Sequence, residues 1–358
     1  MNRRNVLIHL SGLFLIFIVF VVSCEDKANS VEPVLDWRNL DLTEEWQVGK
    51  TNVVGIDPEK LKDGIKSVKS LQGFYSIAVV YKGRLVTEEY AIGDISTKYY
   101  VWSITKSFLS AIYGQMIDLG LLGDEFGTID AYYLSLTDSL KKSIKLSNLL
   151  TMTSGINDDL SYMQKEDPPQ YILSNNLVFS PGTSWGYTSA GTHILSDVAT
   201  KITNQSARDF GDKNLFSKIG IKDYTWTVDQ NGVSNGGYGL TLRLRDMLKF
   251  GQLFLQEGKS GGEEIISSGW VNKSTSMLIP FNEPQSWGYG YLWWITKVKG
   301  AKVYYAAGYA GQFIIVIPSK AMVVAATSNS QPVQGYVNNL YDTIMDKIVS
   351  SFSAPNDN

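Results

Sequence analysis

The sequence predicts an α+β fold: one antiparallel sheet assembled from both ends of the chain, flanked by helices, with a mostly helical region inserted between the halves. Three observations carry this expectation. Strand-like apolar runs bounded by turn residues lie early, in residues 74–90, and late, from Trp287 onward. Apolar positions at helical spacing fill the interval between them. The chain has 358 residues, 44% hydrophobic and 19% charged, which is enough for a sizeable core in one large domain or two smaller ones.

At the N-terminus, Arg3 and Arg4 precede an apolar run over residues 6–22, followed by Val21-Val22-Ser23-Cys24. A basic start, an apolar middle and small residues at a cut site form a secretory signal. The small residue before the single cysteine resembles the lipobox of bacterial lipoproteins. On that reading residues 1–23 are a lipoprotein signal peptide, Cys24 becomes the lipidated N-terminus, and residues 24–54 form a tether. The body would then sit on the bacterial cell envelope, outside the cytoplasm and held to a membrane by lipid. The alternative is an uncleaved anchor helix, for which about 17 apolar residues is the short limit.

Along the body, residues 57–70 read as an amphipathic helix with Leu61, Ile65 and Val68 on one face. Strands over 77–81 and 84–87 surround a Lys82-Gly83 turn and form a hairpin. Helices are expected over 146–152, 192–202, 206–215 and 244–255. Strands return over 288–295, 302–307, 313–317 and 321–327, and a helix over 335–350 closes the chain. The sheet therefore draws on about 55–102 and 256–358, the helical insert on about 103–255, and residues 55–358 form the working domain.

The stretch Trp102-Ser103-Ile104-Thr105-Lys106-Ser107-Phe108-Leu109 organises the chemistry. Residues three apart on a helix are neighbours, so Ser-x-x-Lys brings the Ser103 hydroxyl to the Lys106 amine. Phe108, Leu109, Ile112, Met116 and Leu119 form a buried stripe, with Ser107, Ser110, Gly114 and Asp118 on a solvated face. Lys106 lies at the border of the stripe, near the positive end of the helix dipole, where its pKa is lowered. The plainer reading makes Ser103 a helix N-cap and Lys106 an ordinary flanking lysine. A second match, Ser139-Leu140-Lys141-Lys142, sits in a polar run and reads as surface.

Composition narrows the chemistry. Apart from the N-terminal segment the chain has one histidine, His193, and Cys24 is its only cysteine, so thiolate and zinc sites find no ligand set and no cofactor or metal is expected. Thirty-two Lys and Arg face 35 Asp and Glu with no basic stripe, which excludes nucleic acid as a partner. Gly182-Thr183-Ser184-Trp185-Gly186 spells a nucleophile elbow, but His193 follows Ser184 too closely to be the distant base that such an architecture needs. A serine hydrolase without histidine draws its base from Lys, Tyr or a carboxylate.

Several further segments, in this order, resemble the penicillin-recognising serine hydrolases (class C β-lactamase-like), and within them the 6-aminohexanoate-dimer hydrolase branch. These are Leu149-Leu150-Thr151-Met152-Thr153-Ser154-Gly155, then Pro181-Gly182-Thr183 through Tyr187-Thr188-Ser189. Gly236-Gly237-Tyr238-Gly239-Leu240, Arg245-Asp246-Met247, Gly288-Tyr289-Gly290 and Ala306-Ala307-Gly308-Tyr309-Ala310-Gly311-Gln312 complete the set. Tyr133-Leu134-Ser135, Tyr336-Val337-Asn338 and Lys259-Ser260-Gly261 match by spelling but not by order or surroundings. The resemblance implies a β-lactamase/transpeptidase-like fold and cleavage of an amide or ester through an acyl-enzyme on Ser103.

It further implies that Lys106 and Tyr187 share the base role and that the N–H groups of Ser103 and Tyr309 form the oxyanion hole. Packing Lys106 and Tyr187 side by side helps, since an ammonium stabilises a phenolate while burial discourages the lysine's charge. Trp102, Trp185, Ser189 and Gly308 would bind substrate, with Tyr309 and Trp293 as further candidates for an apolar acyl pocket. Two departures stand out. Ala306 occupies the place of a lysine or histidine that would meet a substrate carboxylate, and Ser189 replaces the amide of Tyr-x-Asn. Both point to a small neutral or short peptide-like amide or ester substrate. The alternative is a sensor or envelope ligand-binding lipoprotein on the same fold, acylated without turnover.

Overall fold

A computed structural model describes residues 35–50, 54–282, 287–298, 300–331 and 334–353. The lipobox, Cys24 and the first part of the expected tether lie outside these residues. No helix among the described residues is long and apolar enough to cross a membrane.

The first helix, α1 (Pro58–Lys69), begins where the Asp57 side chain accepts the Lys60 N–H and a proline occupies the first turn. It buries Leu61, Ile65 and Val68 as the spacing predicts. The hairpin β1 (Phe74–Tyr81) and β2 (Arg84–Tyr90) follows, then the short β3 (Lys98–Tyr100) and the helix α2 (Thr105–Asp118). The inserted region contains α3 (Ser189–Thr203), β4 (Thr225–Trp226), β5 (Leu240–Arg243) and α4 (Leu244–Leu255). Beyond it come α5 (Ser268–Ser274), β6 (Ile279–Pro280), β7 (Trp287–Tyr289), β8 (Trp294–Val298), β9 (Ala301–Gly308), β10 (Gln312–Ile317), β11 (Met322–Ser328) and α6 (Tyr336–Thr343).

One eight-stranded sheet runs in the order β2-β1-β11-β10-β9-β8-β7-β6, with every neighbouring pair antiparallel. β1 pairs with β11, so the two ends of the body join within one sheet, as expected. Period-two alternation splits the strands between two cores. Tyr304, Ala306, Ile314 and Val316 face the inserted helices, while Tyr305, Phe313, Ile315 and Ile317 face α1 and α6. β8 pairs with β9 only over Ala301–Tyr305, so the last residues of β9, Ala306 to Gly308, present a free edge toward the start of α2.

Tertiary packing overrides several local expectations. Ser107, Ser110 and Gly114 are buried rather than solvated. The Ser107 hydroxyl donates to the Leu292 carbonyl at 2.7 Å, and the Trp270 ring of α5 lies against Gly114. Leu119, expected in the buried stripe, falls just past the helix end and is 58% exposed. Residues 288–295 form no single strand: β7 and β8 are separated by a tight turn in which Leu292 takes φ +60°. A small three-stranded sheet, β3-β5-β4, was not anticipated, because strands of two to four residues are too short to show a period. Lys259-Ser260 is a two-residue strand paired with Glu263–Glu264.

Candidate active site

Ser103 lies on a 3-10 turn, Trp102–Ile104, that leads into α2. Trp102, immediately before it, adopts φ +51°, a left-handed conformation uncommon for a bulky residue and typical of positions that aim a functional side chain. The Thr105 hydroxyl donates to the Trp102 carbonyl at 2.6 Å and holds the turn closed. Ser103 does not cap the helix: Ile104 occupies the cap position of α2, and no side chain hydrogen-bonds there.

Lys106 is 1% exposed. Its Nζ lies 3.0 Å from Ser103 Oγ, 3.1 Å from Ser189 Oγ and 2.7 Å from the Gly237 carbonyl oxygen. Burial lowers its pKa to about 7, with the Asp158 carboxylate opposing that shift. Desolvation is the largest cause. The three acceptors match the three N–H donors of an ammonium. Once the amine is neutral, its two N–H groups serve the Gly237 carbonyl and the Ser189 hydroxyl, and the lone pair is left to accept the Ser103 O–H.

Tyr187 comes to the same point from the segment preceding α3. Lys106 Nζ stands 4.7 Å from its ring centroid. Burial holds the phenol well above its ordinary pKa, the nearby Ser103 hydroxyl opposing and the Asp158 carboxylate adding to the rise. Burial disfavours both charged forms: it discourages the charge of Lys106, as expected, and holds the phenol of Tyr187 protonated at rest.

Ser189 places its hydroxyl 3.1 Å from Lys106 Nζ. It begins α3, whose cap is supplied twice. The Thr188 hydroxyl accepts the Gly191 N–H at 3.0 Å, and Asp158 Oδ1 accepts the N–H groups of Ser189 and Ala190 at 2.5 and 3.1 Å. Asp158 escaped the sequence reading because 31 residues separate it from the helix it caps. The loop that offers the Gly237 carbonyl is fixed by Asn235, whose Oδ1 accepts the Gly237 N–H at 2.9 Å and the Tyr162 O–H at 2.9 Å.

The end of β9 closes the other side. A Cβ placed on Gly308 would stand 2.2 Å from the Val101 carbonyl oxygen, so only glycine lets this strand approach the Ser103 turn so closely. The next residue, Tyr309, is 56% exposed and sets its ring edge-on to Trp102 at 5.3 Å. Tyr100 and Tyr238 flank Trp102 at 4.7 and 6.5 Å, making an aromatic rim. On the Tyr187 side, Trp185 packs against Phe281 and Trp294 at 4.8 and 5.9 Å. Trp293, expected in the pocket, is instead a core residue, 0% exposed and packed on Phe250, Phe254 and Tyr304.

The rival motifs resolve as structure. His193 is buried with Nε2 3.2 Å from Asp229 Oδ2 and its ring stacked on Tyr162. Ser184 is exposed on a loop. The Tyr133 hydroxyl donates to Asp197, and the Tyr336 hydroxyl bonds Ser328. No cluster of three or more potential metal ligands occurs among the described residues.

Comparison with known proteins bears on this geometry. The Beta-lactamase family model matches residues 71–346. An uncharacterized protein of Alkalihalophilus pseudofirmus is 22% identical over 299 residues, covering 71% of this chain and 83% of its own length. The 6-aminohexanoate-dimer hydrolase of Paenarthrobacter ureafaciens is 24% identical over 216 residues, covering 54% of this chain and 55% of its own length. Among solved structures, a class C beta-lactamase from Rhodobacter sphaeroides superposes with a TM-score of 0.66 at 16% identity, covering 80% of this chain and 99% of its own. With the family model spanning most of its length, the chain belongs to the Beta-lactamase family, in the fold shared by class C beta-lactamases and penicillin-binding proteins.

Proposed function

We propose that the protein is a serine hydrolase that cleaves an amide or ester bond through a Ser103 acyl-enzyme. The observation that carries this reading is the buried Lys106 amine 3.0 Å from Ser103 Oγ, with a pKa near 7. Neutral Lys106 accepts the Ser103 proton as Oγ attacks the carbonyl carbon. The N–H groups of Ser103 and Tyr309 donate to the oxyanion; one such donor typically contributes 10²–10³ in rate. Tyr187, protonated at rest, relays a proton to the departing amine or alcohol and is re-protonated from Lys106. Water then attacks the acyl carbonyl with the same base, and Ser103 leaves protonated.

Substrate preference follows from the same residues. Ala306 is buried in the core and Ala307 follows it, so neither of the two positions directly before Gly308 carries a cation. The aromatic rim of Trp102, Tyr238 and Tyr309 supports a small neutral or short peptide-like substrate. The motif at Cys24 supports a lipid anchor and a place on the cell envelope. Cys24→Ser is expected to move the protein from the membrane to the soluble fraction.

A fluorophosphonate probe tests the catalytic reading. It is expected to label wild type at Ser103 and to leave folded Ser103→Ala unlabelled; an unlabelled, folded wild type overturns the proposal. Rapid-mixing measurement of acylation and deacylation with an ester series extends the test. A stable adduct without turnover assigns the sensor role instead.

A further inference from the structure

A second cavity, of about 420 Å³, lies on the opposite face of the sheet, between the ends of β7 to β10 and the start of α6. That volume falls in the range of about 300–1,000 Å³ usual for small-ligand pockets. Five aromatic side chains line it, Phe313 with the four that follow. Trp287 stands 6.1 Å from Tyr305 and 5.9 Å from Tyr341, Tyr305 and Tyr341 are 5.2 Å apart, and Trp294 stacks on Tyr305 at 6.3 Å. Among the described residues the only charged side chain lining it is Asp342, exposed at its rim. The Tyr341 hydroxyl is buried and finds no hydrogen-bond partner among the described residues.

These features favour one ligand chemistry. A wall of aromatic side chains beside a space with a carboxylate at its mouth stabilises a positive charge that has little hydration to lose. An anion would meet Asp342, and no cationic side chain among the described residues lines the cavity to offset it. A neutral apolar group would gain burial but no use of the carboxylate. We propose that this cavity binds a small organic cation, an alkylammonium group, seated against Trp287, Tyr305 and Tyr341 with Asp342 as its counter-ion.

The site is one indole away from the candidate catalytic tyrosine. Trp294 stacks on Tyr305 at 6.3 Å on one side and on Tyr187 at 6.1 Å on the other, with interplanar angles of 12° and 20°. Ligand in the cavity therefore presses on the ring that backs Tyr187. Binding itself uses neither Ser103 nor Lys106, so the inference stands or falls independently of the hydrolase reading.

The test compares choline with 3,3-dimethylbutan-1-ol, its uncharged isostere, by calorimetry and by Trp fluorescence on the folded protein. Choline is expected to bind at least about tenfold more tightly than the alcohol. Asp342→Asn is expected to weaken choline binding several-fold and leave the alcohol unchanged, and Trp287→Leu to weaken choline about tenfold or more. Ser103→Ala is expected to bind choline as wild type does. Equal affinity for the two ligands overturns the proposal, as does choline binding that survives both cavity substitutions, or no choline binding at millimolar concentrations.

Discussion

At the residue scale the candidate site depends on how burial treats two proton-bearing groups. A lysine in water is protonated at neutral pH and has no lone pair to offer. Burial lowers the Lys106 pKa to about 7, so about half the molecules carry the free amine there. The active form is the deprotonated one. The kcat/KM profile is therefore expected to rise with unit slope below about pH 7 and to level above it, and an acid limb near pH 10 would remove Lys106 from the base role. Lys106→Arg keeps the positive charge but cannot become neutral, since a guanidinium titrates above about 12. It is expected to abolish acylation while near-UV circular dichroism stays native-like. Tyr187→Phe keeps the ring and removes the proton relay. Its expected effect is a loss of about 10²–10⁴ in kcat with a modest change in KM, read from steady-state kinetics.

At the element scale, α2 is gripped from several sides. Phe108 is sandwiched between the Phe216 and Phe250 rings at 5.4 and 3.6 Å, and Trp270 of α5 lies on Gly114. A Cβ at Gly114 would fall 2.4 Å from the Trp270 ring, so Gly114→Ala is expected to cost about 1–3 kcal/mol of stability in urea unfolding. The end of β9 is fixed by a different contact. Gly308→Ala would drive a methyl group into the Val101 carbonyl and push the strand away from the Ser103 turn. Displacement of about 1 Å at a reacting centre can cost 10²-fold in rate. Gly308→Ala is expected to lose about that factor in kcat/KM, with a far-UV spectrum like that of wild type.

At the scale of the whole molecule, the price of the active-site amine and of other buried charges appears as pH dependence of folding. Asp246, in the first turn of α4, is 6% exposed, and burial raises its pKa to about 6 against the attraction of Arg243 and Lys249. Its folded pKa exceeds its unfolded value of 3.8, so between these the folded state holds the extra proton and stability falls as pH rises. Asp246→Asn is expected to raise stability at pH 7 by about 1–3 kcal/mol and to flatten this dependence, checked by unfolding at pH 4 and pH 7. Lys106 acts in the other sense. Its folded pKa lies below the unfolded one, so stability rises with pH between about 7 and 10.5. The sequence by itself determined the two-ended sheet, α1, the β1–β2 hairpin, the course of α2 and the Ser103–Lys106 pair, because period and three-residue spacing are local. Family-like segments in order also marked Tyr187 and Gly308. Only the tertiary structure decided the rest. It buried the face of α2 carrying Ser107 and Gly114, drew Asp158 to α3, turned Ser189 onto Lys106 and sank Trp293 into the core. Each of these depends on partners distant in sequence, and desolvation, which sets the charge state of Lys106 and Tyr187, exists only once those partners have closed around them.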